Sequence, residues 1–98
     1  MKPVIIEPEA ETDLAEACDW YEKQRAGLSA DFLLCVEAAI DSANHRPGTF
    51  PFIHSLTRRV LVRRFPYIVL FQDRPKATVV LGVFHARQDP KRKRRRSR

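Results

Sequence analysis

Residues 58–72, RRVLVRRFPYIVLFQ, decide the fold class. Upstream of Arg58 the apolar residues return every three or four positions, and from Arg58 onward every second one, a change from the helical to the strand period. Val60 and Val62 fall on one side of such a strand and Arg59, Leu61 and Arg63 on the other. In the next run Tyr67, Val69 and Phe71 oppose Ile68 and Leu70, because side chains alternate across a sheet. Phe65 and Pro66 separate the two runs. Residues 73–76, DRPK, read as a turn, and residues 77–86, ATVVLGVFHA, as a last, mostly buried strand.

Working back from Arg58, residues 49–57, TFPFIHSLT, have no clean period and read as a loop. Residues 28–48, LSADFLLCVEAAIDSANHRPG, place Phe32, Val36, Ala39 and Ala43 at helical spacing, with Leu33 and Ile40 widening the stripe. Ser29 suits the N-cap of this helix, and Pro47 and Gly48 stop it. Residues 7–25, EPEAETDLAEACDWYEKQR, set Ala10, Leu14, Ala17 and Tyr21 on another stripe, with acids crowding the first half, where they favour the positive end of the helix dipole. Gly27 ends that helix, and so short a connection predicts an antiparallel helical hairpin. Val4–Ile6, stopped by Pro8, reads as a first strand. The predicted order is β-α-α-β-β-β: an α+β fold with the hairpin packed on one face of a small antiparallel sheet of three or four strands.

A chain of 98 residues allows one domain, which buries roughly 65% of the surface of its unfolded chain. The apolar stretch Val4–Ile6 is far short of a signal-peptide core, and no run approaches membrane-spanning length, so no membrane association and a cytoplasmic location are expected. Cys18 and Cys35 have neither C-x-x-C nor Cys/His ligand spacing; both read as small core residues, and no metal or cofactor is predicted. The net charge of +6 is unevenly spread. Residues 1–57 carry ten acids against four bases, and residues 58–98 fourteen bases against two acids. Seven of the last eight residues are Lys or Arg, so the basic character belongs largely to the C-terminal segment. This divides the chain into a domain over residues 1–90 and a basic tail over 91–98, predicted to be disordered until it meets an acidic protein or a nucleic acid.

Alternation also sorts the polar residues. His85 and Arg87 share a side with Leu81 and Val83, so with helices over Val60 and Val62, Arg59, Arg63, His85 and Arg87 are expected together on the open face. Such a cluster suits phosphate, since guanidinium is a rigid fork of donors and imidazole changes charge near neutrality. The alternative is a row of solvated arginines guarding the sheet face and a locally bonded histidine. Asp89 is expected to pair with Arg87 or to cap the chain end. Tyr21 belongs to the core, whereas Trp20 beside it reaches the edge of the hairpin, where an exposed indole would mark a partner surface.

Taken together, residues 9–40, 62–71 and 79–90 (EAETDLAEACDWYEKQRAGLSADFLLCVEAAI, VRRFPYIVLF and VVLGVFHARQDP) resemble the RelE/ParE superfamily, the toxin halves of type II toxin–antitoxin modules. The resemblance implies two helices against an antiparallel sheet, a cognate antitoxin as partner in a toxin–antitoxin hetero-oligomer, and one of two targets. RelE-like members cut mRNA on the ribosome with basic residues of the open sheet face, and the matching positions here are Arg59 and Arg87. The arginine which that branch keeps after the tyrosine of the next strand is replaced by Ile68, and no acid–base residue follows Pro90. Arginine stabilises phosphate charge but stays protonated, leaving His85 as the candidate for proton transfer. The ending FHARQDP, residues 84–90, is closer to the ParE-like branch, whose members bind DNA gyrase without hydrolysing a substrate. Three readings follow: a ParE-like toxin that binds its target and is neutralised by an antitoxin; an RNA endonuclease using Arg59, His85 and Arg87; and a nucleic-acid-binding module acting through its tail. The residues expected to touch target or nucleic acid are Arg63, Arg64, Lys91, Arg92, Lys93 and Arg94.

Overall fold

The two helical stripes form α1, Pro8–Gln24, and α2, Leu28–His45. The computed structural model describes residues 2–88 and 90–96. Pro8 opens α1 at a position whose N–H would have no helical partner, and Glu9 and Glu11 sit in the first turn. Gly27, at φ +88°, turns the chain through left-handed space into α2. Gly27 also takes the N-cap position expected for Ser29, which lies one residue inside the helix. The cap comes instead from α1: the Glu22 carboxylate accepts the backbone N–H of Gly27 at 3.0 Å, that of Ser29 at 3.1 Å and the Ser29 hydroxyl at 2.7 Å. These bonds, the hydroxyl's first, hold the Glu22 carboxyl below its ordinary pKa.

A lowered folded pKa contributes stability that is present above the ordinary carboxylate range and lost as pH falls through the folded value. Glu22→Gln is therefore expected to lower the unfolding midpoint modestly at neutral pH, and its deficit to narrow below about pH 4. Thermal unfolding of both proteins across the acid range checks this. A deficit that widened in acid would contradict the capping role.

The strands are β1 (Val4–Ile6), β2 (Phe52–His54), β3 (Thr57–Leu61), β4 (Tyr67–Arg74) and β5 (Ala77–His85), in sheet order β1-β5-β4-β3-β2. The α+β arrangement with a helical hairpin on the sheet stands, with additions. β1 joins β5 in parallel, which makes the sheet mixed. The segment expected as a loop holds β2, whose three residues meet β3 in an irregular register, too short a strand to display a period.

Val60, Val62, Val69 and Phe71 are buried beneath Ala17, Phe32 and Val36, the face predicted for them. Cys18 and Cys35 pack at the margin of this cluster, and burial pushes the Cys18 thiol above its ordinary pKa. The opposite face is apolar too, with Ile68, Leu70, Ala77, Val79, Leu81 and Phe84 forming a second buried cluster. A strand buried on both faces reads as a continuous apolar run, which accounts for residues 77–84.

A β-bulge in β5 decides the placement of His85. Leu70 pairs with Gly82 and Phe71 with Val80, which leaves Leu81 unpaired between them. The extra residue reverses the alternation downstream. Leu81 therefore joins the second cluster while Val83 joins the helix-side core. His85 follows Val83 and meets Tyr67, also on the helix side, with ring centroids 5.3 Å apart.

The basic segment expected to be disordered contains a third helix, α3, Pro90–Arg96. Residues 97 and 98 lie outside the described residues, as does Asp89 with its expected pairing to Arg87. Arg96 holds α3 against β5. Its NH1 donates to Asp13 Oδ2 at 2.8 Å and to the Leu81 carbonyl at 3.1 Å, its Nε lies 3.5 Å from Glu9 Oε2, and its guanidinium stacks 4.9 Å from the Phe84 ring centre. Gly82 makes the room. A Cβ there would stand 2.5 Å from the Phe84 ring and 3.2 Å from Arg96 NH1. Like charges repel along α3, but these partners, remote in sequence, outweigh the repulsion at its last described turn.

Candidate functional site

The ends of β4 and β5 and the middle of α1 enclose a cleft of about 500 Å³. Trp20 and Tyr21 form one wall, and Tyr67, Pro66 and His85 the other; Asp13, Glu16, Gln88 and Arg92 stand at its rim and floor. Trp20 is 57% exposed and meets Tyr21 edge to face at 5.1 Å. Burial pushes both phenols above their ordinary pKa, and Tyr67 adds to the effect at Tyr21. Both remain O–H donors at physiological pH, and among the described residues neither hydroxyl has a hydrogen-bond partner. The cleft thus offers aromatic walls with polar edges, a lining suited to binding.

His85 is committed to its turn. The backbone N–H of Arg87 donates to His85 Nδ1 at 3.1 Å, and the backbone N–H of His85 donates to Gln88 Oε1 at 2.6 Å. An amide N–H only donates, so Nδ1 is the unprotonated nitrogen and Nε2 carries the proton of the neutral ring. Arg87 itself is exposed in that turn.

Arg59 stands directly across from Leu70, on the second face of the sheet, while His85 is on the helix side. The open-face cluster of Arg59, Arg63, His85 and Arg87 is therefore not assembled, and the bulge at Leu81 is the reason. Arg63 and Arg64 belong to the β3–β4 connection, beyond the end of β3, where alternation no longer assigns a face. That connection meets the turn after β5 through the Ala86 N–H and the Pro66 carbonyl at 2.8 Å. Arg63, Arg64 and Arg87 thus share one end of the sheet. Lys93 and Arg94 of α3 join Arg59 at a groove on the second face, whereas Arg92 lies at the cleft rim and Lys91 is exposed. Among the described residues no three His, Cys, Asp or Glu side chains come together to hold a metal ion. No helix among them is long and apolar enough to cross a membrane.

Sequence reasoning assigned Tyr21 to the core and singled out Trp20, but it missed Glu16, Gln88 and Tyr67 as cleft residues. The signal available was the neighbouring pair Trp20–Tyr21, one on the stripe and one beside it.

A family model described as "ParE toxin of type II toxin-antitoxin system, parDE" matches residues 4–90. The chain belongs to the ParE toxin family. Among solved structures it is similar to a chain of the chromosomal ParDE TA system from P. aeruginosa, with a TM-score of 0.76 and 15% sequence identity over 87% of this chain and 96% of that one. Likeness at this identity is one of fold. No match was found among curated proteins. In this ParE-family chain the helical hairpin and β1 to β5 all fall within the matched residues, and α3 lies almost wholly beyond them.

Proposed function

We infer that the protein is a growth-inhibiting toxin that acts by binding its target, DNA gyrase, and that a cognate antitoxin neutralises it. The observation that carries this reading is the separation of Arg59 and His85 onto opposite faces of the sheet, with His85 Nδ1 already accepting a backbone N–H. RNA cleavage through the 2′-OH needs a base, an acid and phosphate stabilisation converging on one phosphodiester. The arrangement supports binding through the Trp20–Tyr67 cleft instead. The shared fold with a ParDE toxin–antitoxin system supports an antitoxin as partner. Electrostatic complementarity between an acidic antitoxin and the basic C-terminal half would speed association and make the rate fall with salt.

The test is gyrase supercoiling alongside mRNA integrity in cells, for wild type and His85→Ala. The expected result is inhibited supercoiling with intact mRNA, and at most about a tenfold loss of potency in His85→Ala, since an aromatic pair contributes about 0.5–1.5 kcal/mol. Loss of mRNA cuts by about 10² to 10⁴ in His85→Ala would instead mark a general acid–base group and overturn the binding mechanism.

A further inference from the structure

Helix α1 carries six acids against one base between Pro8 and Gln24, and most of those acids are committed within the fold. Asp13 and Glu9 meet Arg96, Asp19 pairs with Lys23, and Glu22 caps α2. Glu16 differs. It is exposed, it lines the Trp20–Tyr67 cleft, and among the described residues its carboxylate has neither an ion pair nor a hydrogen bond. Trp20 follows it by one helical turn, so the free carboxylate and the exposed indole stand on the same face of α1. Farther in, the Tyr21 and Tyr67 rings are 6.0 Å apart, and their phenol oxygens accept hydrogen bonds as well as donate them. Arg92 also lines the cleft, but it is exposed and makes no ion pair with Glu16.

An aromatic ring attracts a cation over its face, as a carboxylate attracts one beside it. The cleft therefore joins two features that favour the same ligand charge, although the chain as a whole carries +6. The acids of α1 set the local sign. We propose that the cleft takes the guanidinium of an arginine on the target protein, stacked on Trp20 and paired with Glu16. Arginine fits better than lysine, because its planar group is weakly hydrated, stacks on aromatic rings and spreads five N–H donors over the Glu16 carboxylate and the two phenol oxygens. The inference rests on the reading of this cleft as the target-binding surface, and it adds the side chain which that surface selects.

Trp20 is the single tryptophan of the chain, so its fluorescence reports directly on the cleft. The full chain is titrated with a short capped glycine peptide carrying one arginine, and with the same peptide carrying citrulline, which keeps the shape and loses the charge. The arginine peptide is expected to change the Trp20 emission saturably, and the citrulline peptide to bind about tenfold more weakly, the combined effect of an exposed ion pair and a cation–π contact. Glu16→Gln is expected to weaken the arginine peptide about two- to fivefold, and Arg92→Ala, which removes a like charge from the lining, to strengthen it. Glu11→Gln, at an exposed acid of α1 outside the cleft lining, is expected to change nothing. Because Glu16 is exposed, an unchanged melting temperature keeps its variant free of folding effects. Equal binding of the arginine and citrulline peptides, tighter binding of a leucine peptide, or no binding of the arginine peptide would each overturn the proposal. Gyrase supercoiling separates it from the reading beneath it. Inhibition by wild type that weakens in Glu16→Gln supports both, inhibition untouched by Glu16→Gln overturns the arginine contact alone, and arginine-peptide binding without any inhibition overturns gyrase as the target while supporting the selectivity of the cleft.

Discussion

Replacing Phe32 with alanine is expected to cost about 3–5 kcal/mol of stability, the range for emptying a buried aromatic site. Phe32 is fully buried where α2 crosses the sheet, and its ring is 5.0 Å from Tyr21, 5.1 Å from Phe65 and 5.0 Å from Tyr67, centre to centre. These neighbours come from α1, from β4 and from the connection before β4, so no single movement closes the gap. A domain of this size has about 5–15 kcal/mol in all, and the variant would stand near the limit of folding. Tyr21 and Tyr67 also wall the cleft, so the substitution should loosen the binding surface as well as the core. Denaturant unfolding of Phe32→Ala and Phe32→Leu checks the packing. The leucine variant should recover much of the loss, and a deficit below about 1 kcal/mol for alanine would mean the ring is not packed among those three.

Asp13→Ala is expected to cost about 2–4 kcal/mol, somewhat under the range for breaking a fully buried ion pair because both partners keep some solvent. The Asp13 side chain is 11% exposed and that of Arg96 14%. Asp13 Oδ2 accepts the Val83 backbone N–H at 3.0 Å as well as Arg96 NH1. β1 covers β5 only from Thr78 to Val80. Beyond that point the edge of β5 would expose its backbone, and Asp13 and Arg96 take the place of a neighbouring strand: one accepts the N–H of Val83, the other donates to the carbonyl of Leu81. Removing the carboxylate leaves a donor without an acceptor and a guanidinium with less of its charge balanced. Hydrogen exchange at Val83 should quicken, and helical signal from α3 should fall. Asp13→Asn, which keeps an acceptor but loses the charge, should lie between wild type and alanine. A double-mutant cycle with Arg96→Ala isolates the pair, and a coupling indistinguishable from zero would show that α3 is not held this way.

The helical hairpin, the change of period at Arg58 and the apolar face at Val60 and Val62 were all legible in the chain, because they rest on local periodicity and on the large free energy of apolar burial. The family resemblance was legible for the same reason, being carried by those stretches in order. Trp20 and Tyr21 could be told apart by their places on and beside the stripe. What the sequence did not reveal depends on contacts between residues far apart in the chain. The strand β2 exists because β3 offers it an edge, and its three residues are too few to announce themselves. The helix α3 exists because Glu9, Asp13, the Leu81 carbonyl and Phe84 meet at Arg96; seven consecutive residues rich in like charge give no hint of this. Above all, strict alternation along β5 would put Leu81, Val83 and His85 on one face. The register of β4 against β5 admits one extra residue at Leu81, and that residue turns His85 away from Arg59 and toward Tyr67. Alternation is a local rule, but where it is broken is settled by the packing of both sheet faces at once, so the sequence determined which residues could form a site and only the tertiary structure decided which of them meet.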